Sequence, residues 1–389
     1  MNKSKQKSII IYTVIIFIYV LIFLILDKLN FAIRKDEIHF WPTALKFSKS
    51  WLPSIELLKN YGELNTPLPF IIFGSLEHVF NGGIVIGRLF NLMLSLCILF
   101  FFTYNRKQKD TSYVYSLIGL LLFPYFILCA THLYTDIIAT FCVFAGFLFY
   151  LKKRNLVSCI LFILAVSSRQ HMLAFPFGIL VFEIIKLIKE SDCEMKGLIR
   201  KVAFYQFIAC TSFLAWFLFW GNFGPSTEIA IQNVSTVSAF RIYPEYSLYF
   251  LSCIGFYFVI PEIILFKRYA DVYSYVNIKS IVIAITVSML FMLFPPFQNF
   301  DYSIPAMGYM DKMFRVFRSD LLRVVFFCVF ATLACLRFYV LRIETILILS
   351  NVILMAKSHI AWDKYLLPLI VILWFLTAIE YNGKRKPFS

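Results

Sequence analysis

The sequence predicts an all-α integral membrane protein of about twelve transmembrane helices. Three observations carry that reading. Of 389 residues 60% are hydrophobic and only 15% charged, with a mean hydropathy of +0.78; an ordinary globular chain is about half apolar and a quarter charged. Uncharged apolar runs recur from end to end, many of them near the roughly 20 residues a helix needs to cross hydrocarbon. The short loops between them alternate between strongly basic and nearly neutral, the pattern of cytoplasmic and non-cytoplasmic connections.

The first run, Ile9 to Leu26, follows Lys3, Lys5 and Lys7 and holds no charge. It is too long for a signal peptide and lacks a small-residue cleavage site, so it reads as an uncleaved first span. Further spans are predicted at 84–104, 113–130, 134–151, 155–168, 171–188, 202–221, 246–266, 278–296, 321–341, 343–357 and 362–381. With the N-terminus in the cytoplasm, the inner loops collect Arg106, Lys107 and Lys109, then Lys152, Lys153 and Arg154, then Lys186, Lys189, Lys196, Arg200 and Lys201. Lys267, Arg268, Lys279, Arg337, Arg342, Lys384, Arg385 and Lys386 complete that side. The formal net charge of +15 is therefore largely an inner-leaflet feature. No basic patch interleaved with aromatics lies outside the membrane, so no nucleic-acid partner is expected. The 45 Phe and 22 Tyr suit lipid-facing surface and interfacial belts. The nine Cys contain no CxxC pair, so neither a zinc site nor a disulfide framework is expected.

The chain reads as one unit over residues 1–389, with three longer outer segments at 27–83, 222–245 and 297–320. The first is the largest. Trp41 to Lys49 mixes aromatic and basic residues and reads as an interfacial amphipathic helix. Pro67 to Phe80 is apolar but too short to span easily, and reads as re-entrant or juxtamembrane.

Four polar clusters all fall on the outer side. Asp36, Glu37 and His39 follow the first span directly. A carboxylate at the bilayer surface can serve as a general base; equally, a loop after a helix is often charged. Tyr134, Thr135 and Asp136 open a later span. An ionisable group in or beside a span is a functional candidate by default, and a helix cap is the plainer alternative. Arg169 and Gln170, with His171, sit between two apolar stretches. A lone guanidinium there suits a phosphate, and an ion pair with Asp136 is compatible with that use. His359, Asp363, Lys364 and Tyr365 introduce the last span. Lys364 is a second phosphate candidate, with snorkelling to the interface as its alternative. The histidines stand singly and make no H-E-x-x-H motif, and no DxD sequence is present to hold a metal, so no metal or cofactor is expected.

Together these strips resemble the GT-C class of multi-span glycosyltransferases, and within it the dolichyl-phosphate-glucose-dependent alpha-1,2-glucosyltransferase family. The resemblance runs through Asp36-Glu37-Ile38-His39-Phe40-Trp41-Pro42, through Asn65-Thr66-Pro67-Leu68-Pro69, through Tyr134-Thr135-Asp136 and through Arg169-Gln170. Residues 31–188 carry most of it; the C-terminal half adds His359 and Asp363-Lys364-Tyr365. The first loop has Gly62-Glu63-Leu64-Asn65 where the family has Trp-Asp-Pro. The resemblance implies a GT-C-like fold that moves a hexose, glucose first, from a polyprenyl- or dolichyl-phosphate donor to a lipid-linked glycan or related acceptor. It implies an active face on the non-cytoplasmic side of the endoplasmic reticulum membrane in a eukaryote, or of the cytoplasmic membrane in a bacterium. Asp36 and Glu37 are then the catalytic acids. His39, Thr66, Tyr134, Asp136, Arg169, Gln170, His359, Asp363 and Lys364 are the substrate ligands, in contact with donor, acceptor and membrane lipid. The rival expectation is a multi-span transporter or lipid flippase for a lipid-linked saccharide, which would show internal repeats and broken helices near the midplane; no repeat is visible.

Overall fold

The computed structural model describes residues 3–104, 112–225, 242–267, 278–296, 308–358 and 360–380. Among these residues the protein is entirely helical, with no strand. In order, the helices are α1 (Lys3–Ile25), α2 (Glu37–Phe47), α3 (Ile55–Asn60), α4 (Leu68–Phe80), α5 (Ile84–Tyr104), α6 (Ser112–Leu121), α7 (Pro124–Thr131), α8 (Asp136–Leu151) and α9 (Asn155–Ser168). There follow α10 (Ala174–Lys189), α11 (Cys193–Trp220), α12 (Pro244–Ile254), α13 (Ile260–Leu265), α14 (Ile278–Leu293), α15 (Tyr309–Phe314), α16 (Asp320–Arg337), α17 (Ile343–Met355) and α18 (Leu367–Glu380).

Among the described residues, four helical segments are long and apolar enough to cross a membrane: Ile84–Tyr104, Gln170–Lys189, Cys193–Trp220 and Pro244–Phe266. A fifth is counted if α6 and α7 form one span, bent by 68°. The span read as 113–130 is broken between Leu121 and Pro124. Pro124 has no N–H to continue the ladder, and its ring pushes the preceding residue out of the helical region. Six shorter apolar helices of 10–17 residues accompany these. Other boundaries also move. The span read as 202–221 extends back to Cys193. The last helix begins at Leu367, because Asp363–Leu366 form a 3-10 turn. The helix read as Trp41 to Lys49 runs instead from Glu37 to Phe47.

Burial explains the layering. α18 is buried from Leu367 through Ala378, as expected of a helix that is apolar all round. Its Trp374 fills the groove left by Gly119 on α6 and lies 4.7 Å from the Phe258 ring. By contrast α11 and α14 present Phe204, Phe207, Leu214 and Leu218, and Ile281, Val282, Ile285 and Met289, outward. That much contiguous apolar surface is not sustained in water, and it marks the faces that meet lipid.

The site is positioned by hairpins that return to one end of the bundle. α8 and α9 are joined by a tight turn at Lys152–Arg154, so Asp136 at the start of one helix lies beside Arg169 at the end of the other. The basic turn is thereby placed at the opposite end, where Lys152 sits over the Tyr104 ring at the close of α5.

Candidate functional site

The segment between α1 and α4 is pinned by a buried ion pair. Arg88, one turn into α5, sends Nε to Glu37 Oε1 at 2.8 Å and Nη2 to Glu37 Oε2 at 2.6 Å. Its Nη1 donates to the carbonyls of Leu29 and Phe31, each at 2.8 Å. Glu37 Oε1 also accepts the Leu133 N–H at 2.7 Å. Both side chains are fully buried. The guanidinium further lies 3.8 Å from the Phe31 ring centroid. These bonds hold a strained segment: Asp27, Lys28 and Leu29 all have positive φ, at 47°, 53° and 65°, a conformation costing roughly 1–2 kcal/mol per residue.

This geometry corrects one expectation. Glu37 shares a strip with Asp36, and both were expected to be catalytic. Every oxygen of Glu37 is committed, so it is not free to take a proton from a substrate. Those bonds tie the first residue of α2 to α5 and to the segment before α8.

Asp36 immediately precedes α2 and stands at the mouth of the site. Its Oδ2 accepts a hydrogen bond from Lys364 Nζ, from the 3-10 turn before α18. Its Oδ1 takes no hydrogen bond among the described residues. The Asp36 side chain is 20% exposed while Lys364 is only 5% exposed. Snorkelling is therefore excluded for Lys364: its ammonium points inward, 3.8 Å from the Trp362 ring and 5.4 Å from the Tyr134 ring.

A second pair lies alongside. Arg169 Nη1 binds Asp136 Oδ1 at 2.7 Å and Nε binds Thr135 Oγ1 at 3.0 Å. The guanidinium carbon is 5.5 Å from the Tyr365 ring. Neither Thr135 nor Asp136 caps α8 with its side chain, so the helix-cap explanation for these residues falls. Asp136 Oδ2 is buried and without a partner. So is His171 Nε2, on a ring 5.1 Å from that of Tyr365. Two opposite-charge pairs and two unpartnered polar atoms thus meet around Tyr365 and Tyr134.

No family profile, no curated protein and no solved structure matches this chain.

The remaining expected ligands divide. Tyr134 is buried between Phe40 and His132, with its ring toward Lys364. Asp363, fully buried, accepts from the Tyr257 hydroxyl at 2.8 Å and the Met310 N–H at 3.1 Å on Oδ2, and its Oδ1 is unpartnered. It ties the start of α15 to the site; Gly308, at φ 93°, leaves room that any side chain would take from the carboxylate. Thr66 and Gln170 both donate to backbone carbonyls. The Thr66 hydroxyl donates to the Val166 carbonyl at 2.9 Å in a buried position. Gln170 Nε2 donates to the carbonyls of Leu64 and Phe223, at 2.5 and 3.2 Å. Both fasten the first loop to α9 and α11. His39 is exposed one turn along α2 from Asp36. His359, and the parts of the outer segments at 226–241 and 297–307, lie outside the described residues.

Sequence reasoning missed Arg88 and Tyr257. Arg88 carried a usable signal: it is the single charge in the run Ile84–Tyr104, and a charge inside a span calls for a partner. Tyr257, one tyrosine among many in an apolar helix, carried none.

Proposed function

We propose that this chain is an integral membrane glycosyltransferase. It moves a hexose, glucose first, from a polyprenyl-phosphate donor to a hydroxyl of a lipid-linked glycan or related acceptor on the non-cytoplasmic face. The observation that carries the reading is the meeting of Asp36 with Lys364 beside Asp136 with Arg169, from four distant strips of sequence at one end of the bundle. A GT-C-like bundle of about twelve spans, with α2 and α3 lying at the outer interface, accommodates such a site at headgroup level, where the donor's phosphate resides.

The chemistry follows from the pairing. Asp36 Oδ1 accepts the proton of the acceptor hydroxyl as that oxygen forms its bond to the anomeric carbon. The bond from the anomeric carbon to the phosphate oxygen breaks on the opposite face, and the phosphate leaves with the electron pair. One displacement inverts the anomeric centre. When Asp36 becomes neutral, the charge of Lys364 is no longer compensated, just as negative charge develops on the leaving phosphate. A preorganised cation facing a developing charge is usually the largest single catalytic contribution.

The test is direct. Purified protein in lipid nanodiscs is given polyprenyl-phosphate hexoses and lipid-linked glycan acceptors, and the products are read by mass spectrometry. Transfer of one hexose, abolished by Asp36→Asn, supports the proposal. A specific observation keeps a second reading: the break between α6 and α7 is the kind of discontinuous helix that transporters use. Translocation of a labelled lipid-linked saccharide across the same membrane without any new glycosidic bond selects that reading instead.

A further inference from the structure

We propose that Asp136, Arg169 and His171 form a hydroxyl-recognition subsite for the hexose of the donor, so that Arg169 reads sugar rather than phosphate. The inference rests on the donor reading above and names which part of that donor these residues hold.

Asp136 is 3% exposed, and its Oδ1 is taken by Arg169 at 2.7 Å. Its Oδ2 is buried and has no partner. A buried carboxylate oxygen without a donor is destabilising, so this position is shaped for a donor that the folded chain does not provide. A phosphate offers none: its oxygens are acceptors and anionic, and one placed near Asp136 would be repelled. A sugar hydroxyl offers an O–H to Oδ2.

Arg169 supplies the complementary half. Nε and Nη1 are committed to Thr135 and Asp136, and Nη2 has no hydrogen bond among the described residues. A hydroxyl that donates to Asp136 Oδ2 can accept from Arg169 Nη2, so one carboxylate–guanidinium pair satisfies both functions of an alcohol. The charge of Arg169 is also compensated by a carboxylate at hydrogen-bond distance, which leaves little net attraction for an anion. Lys364 differs in that its partner Asp36 is the base, and releases it during the reaction.

His171 extends the same patch. It lies two residues beyond Arg169, and its ring and the Arg169 guanidinium both sit against Tyr365, at 5.1 and 5.5 Å. Nε2 is buried and unpartnered. A ring nitrogen meets a hydroxyl as donor or acceptor according to tautomer, so it serves a polyol in either state. Sites built to hydrogen-bond a hydroxyl discriminate strongly against ligands that lack it, because their own polar groups are then left unpaired.

The experiment measures equilibrium binding to the full-length protein in nanodiscs of two probes: a polyprenyl-phosphate glucose and the same polyprenyl phosphate without sugar. The expected wild-type result is a preference for the sugar lipid of at least about tenfold, on the scale of such discrimination. In His171→Phe, which keeps the ring against Tyr365, that preference falls severalfold while affinity for the bare lipid phosphate changes by less than about twofold; in Asp136→Asn the preference falls too, with the released charge of Arg169 strengthening bare-lipid binding. Because Asp136→Asn leaves Arg169 uncompensated, the double variant Asp136→Asn/Arg169→Gln is measured beside it; it too loses the preference and keeps the bare-lipid affinity. Equal weakening of both lipids assigns these residues to the phosphate and overturns the subsite. A preference unchanged in all variants overturns it as well, as does a wild type that binds both lipids equally. A wild type that binds neither lipid removes the donor reading itself, and the subsite with it.

Discussion

The ammonium of Lys364 bonds the carboxylate of Asp36, a residue 328 positions earlier in the chain. The pair joins the start of α2 to the turn that opens the final helix. It orients Asp36 through Oδ2 and leaves Oδ1 without a hydrogen bond among the described residues. Asp36→Asn is therefore expected to lower turnover by at least about a hundredfold, the scale of general-base catalysis. The asparagine can still accept from Lys364 but leaves that buried ammonium uncompensated, so some stability is lost as well and turnover is compared per folded protein. Turnover near wild type in a folded Asp36→Asn protein would place the base elsewhere.

The neighbouring carboxylate should behave in the opposite way. Glu37 is fully buried against Arg88, and removing one partner of such a pair leaves an uncompensated charge, at a cost of roughly 3–5 kcal/mol. Arg88→Ala should reduce the equilibrium stability of the detergent-solubilised protein on that scale. The double variant Arg88→Met/Glu37→Leu should recover part of it. Recovery stays incomplete, because the carbonyls of Leu29 and Phe31 and the N–H of Leu133 also lose their partners. A double variant no more stable than Arg88→Ala would show that the charge pairing is not what matters.

The helical class and the membrane character were legible in composition and in apolar runs, because burial in lipid demands continuous hydrophobicity whatever the tertiary contacts. The charge pattern also placed Asp36, Asp136, Arg169 and Lys364 at one end, since a charge between two apolar stretches has few places to go. What sequence did not reveal was the division of labour. Asp36 and Glu37 are adjacent and chemically alike, and only the reach of Arg88 from α5 separates a committed carboxylate from an available one. Thr66 and Gln170 were expected as ligands because their strips resemble those of a glucosyltransferase family; their bonds to Val166, Leu64 and Phe223 are long-range contacts that local pattern does not encode. The bend at Pro124 was readable from the proline, but its angle depends on packing.

Sidedness has its own test. Ser54 and Lys153 are both exposed, one in the first loop and one in the turn between α8 and α9. Single cysteines at these positions, in a background lacking native reactive thiols, should react with a membrane-impermeant maleimide from opposite faces, Ser54→Cys from the non-cytoplasmic one. Labelling of both from the same face would refute the arrangement of inner and outer loops.

The last expectation concerns acid. His132 follows α7 and is packed between the rings of Phe31 and Tyr134, at 4.9 and 5.7 Å. Its Nδ1 lies 3.0 Å from the Leu128 carbonyl, and its own carbonyl accepts from Asn91. Burial pushes the imidazole down to about 4, against an ordinary value of 6.5, with the charges of Lys35 and Arg88 acting in the same direction and Glu37 opposing them. Above pH 6.5 the ring is neutral both folded and unfolded, and it contributes no pH dependence. As pH falls below 6.5 the unfolded chain takes up a proton that the folded protein refuses, so stability is lost progressively until about pH 4, where the folded ring also protonates. The slope from this one group approaches about 1.4 kcal/mol per pH unit at most. Carboxylates elsewhere also lose stabilising charge in this range, so the informative quantity is a difference. His132→Gln keeps a polar side chain but cannot charge, and its melting temperature should fall less between pH 6.5 and pH 4.5 than that of the wild type. Parallel curves for the two proteins would mean that His132 protonates as readily in the fold as outside it, and that its burial between Phe31 and Tyr134 does not exclude the charged ring.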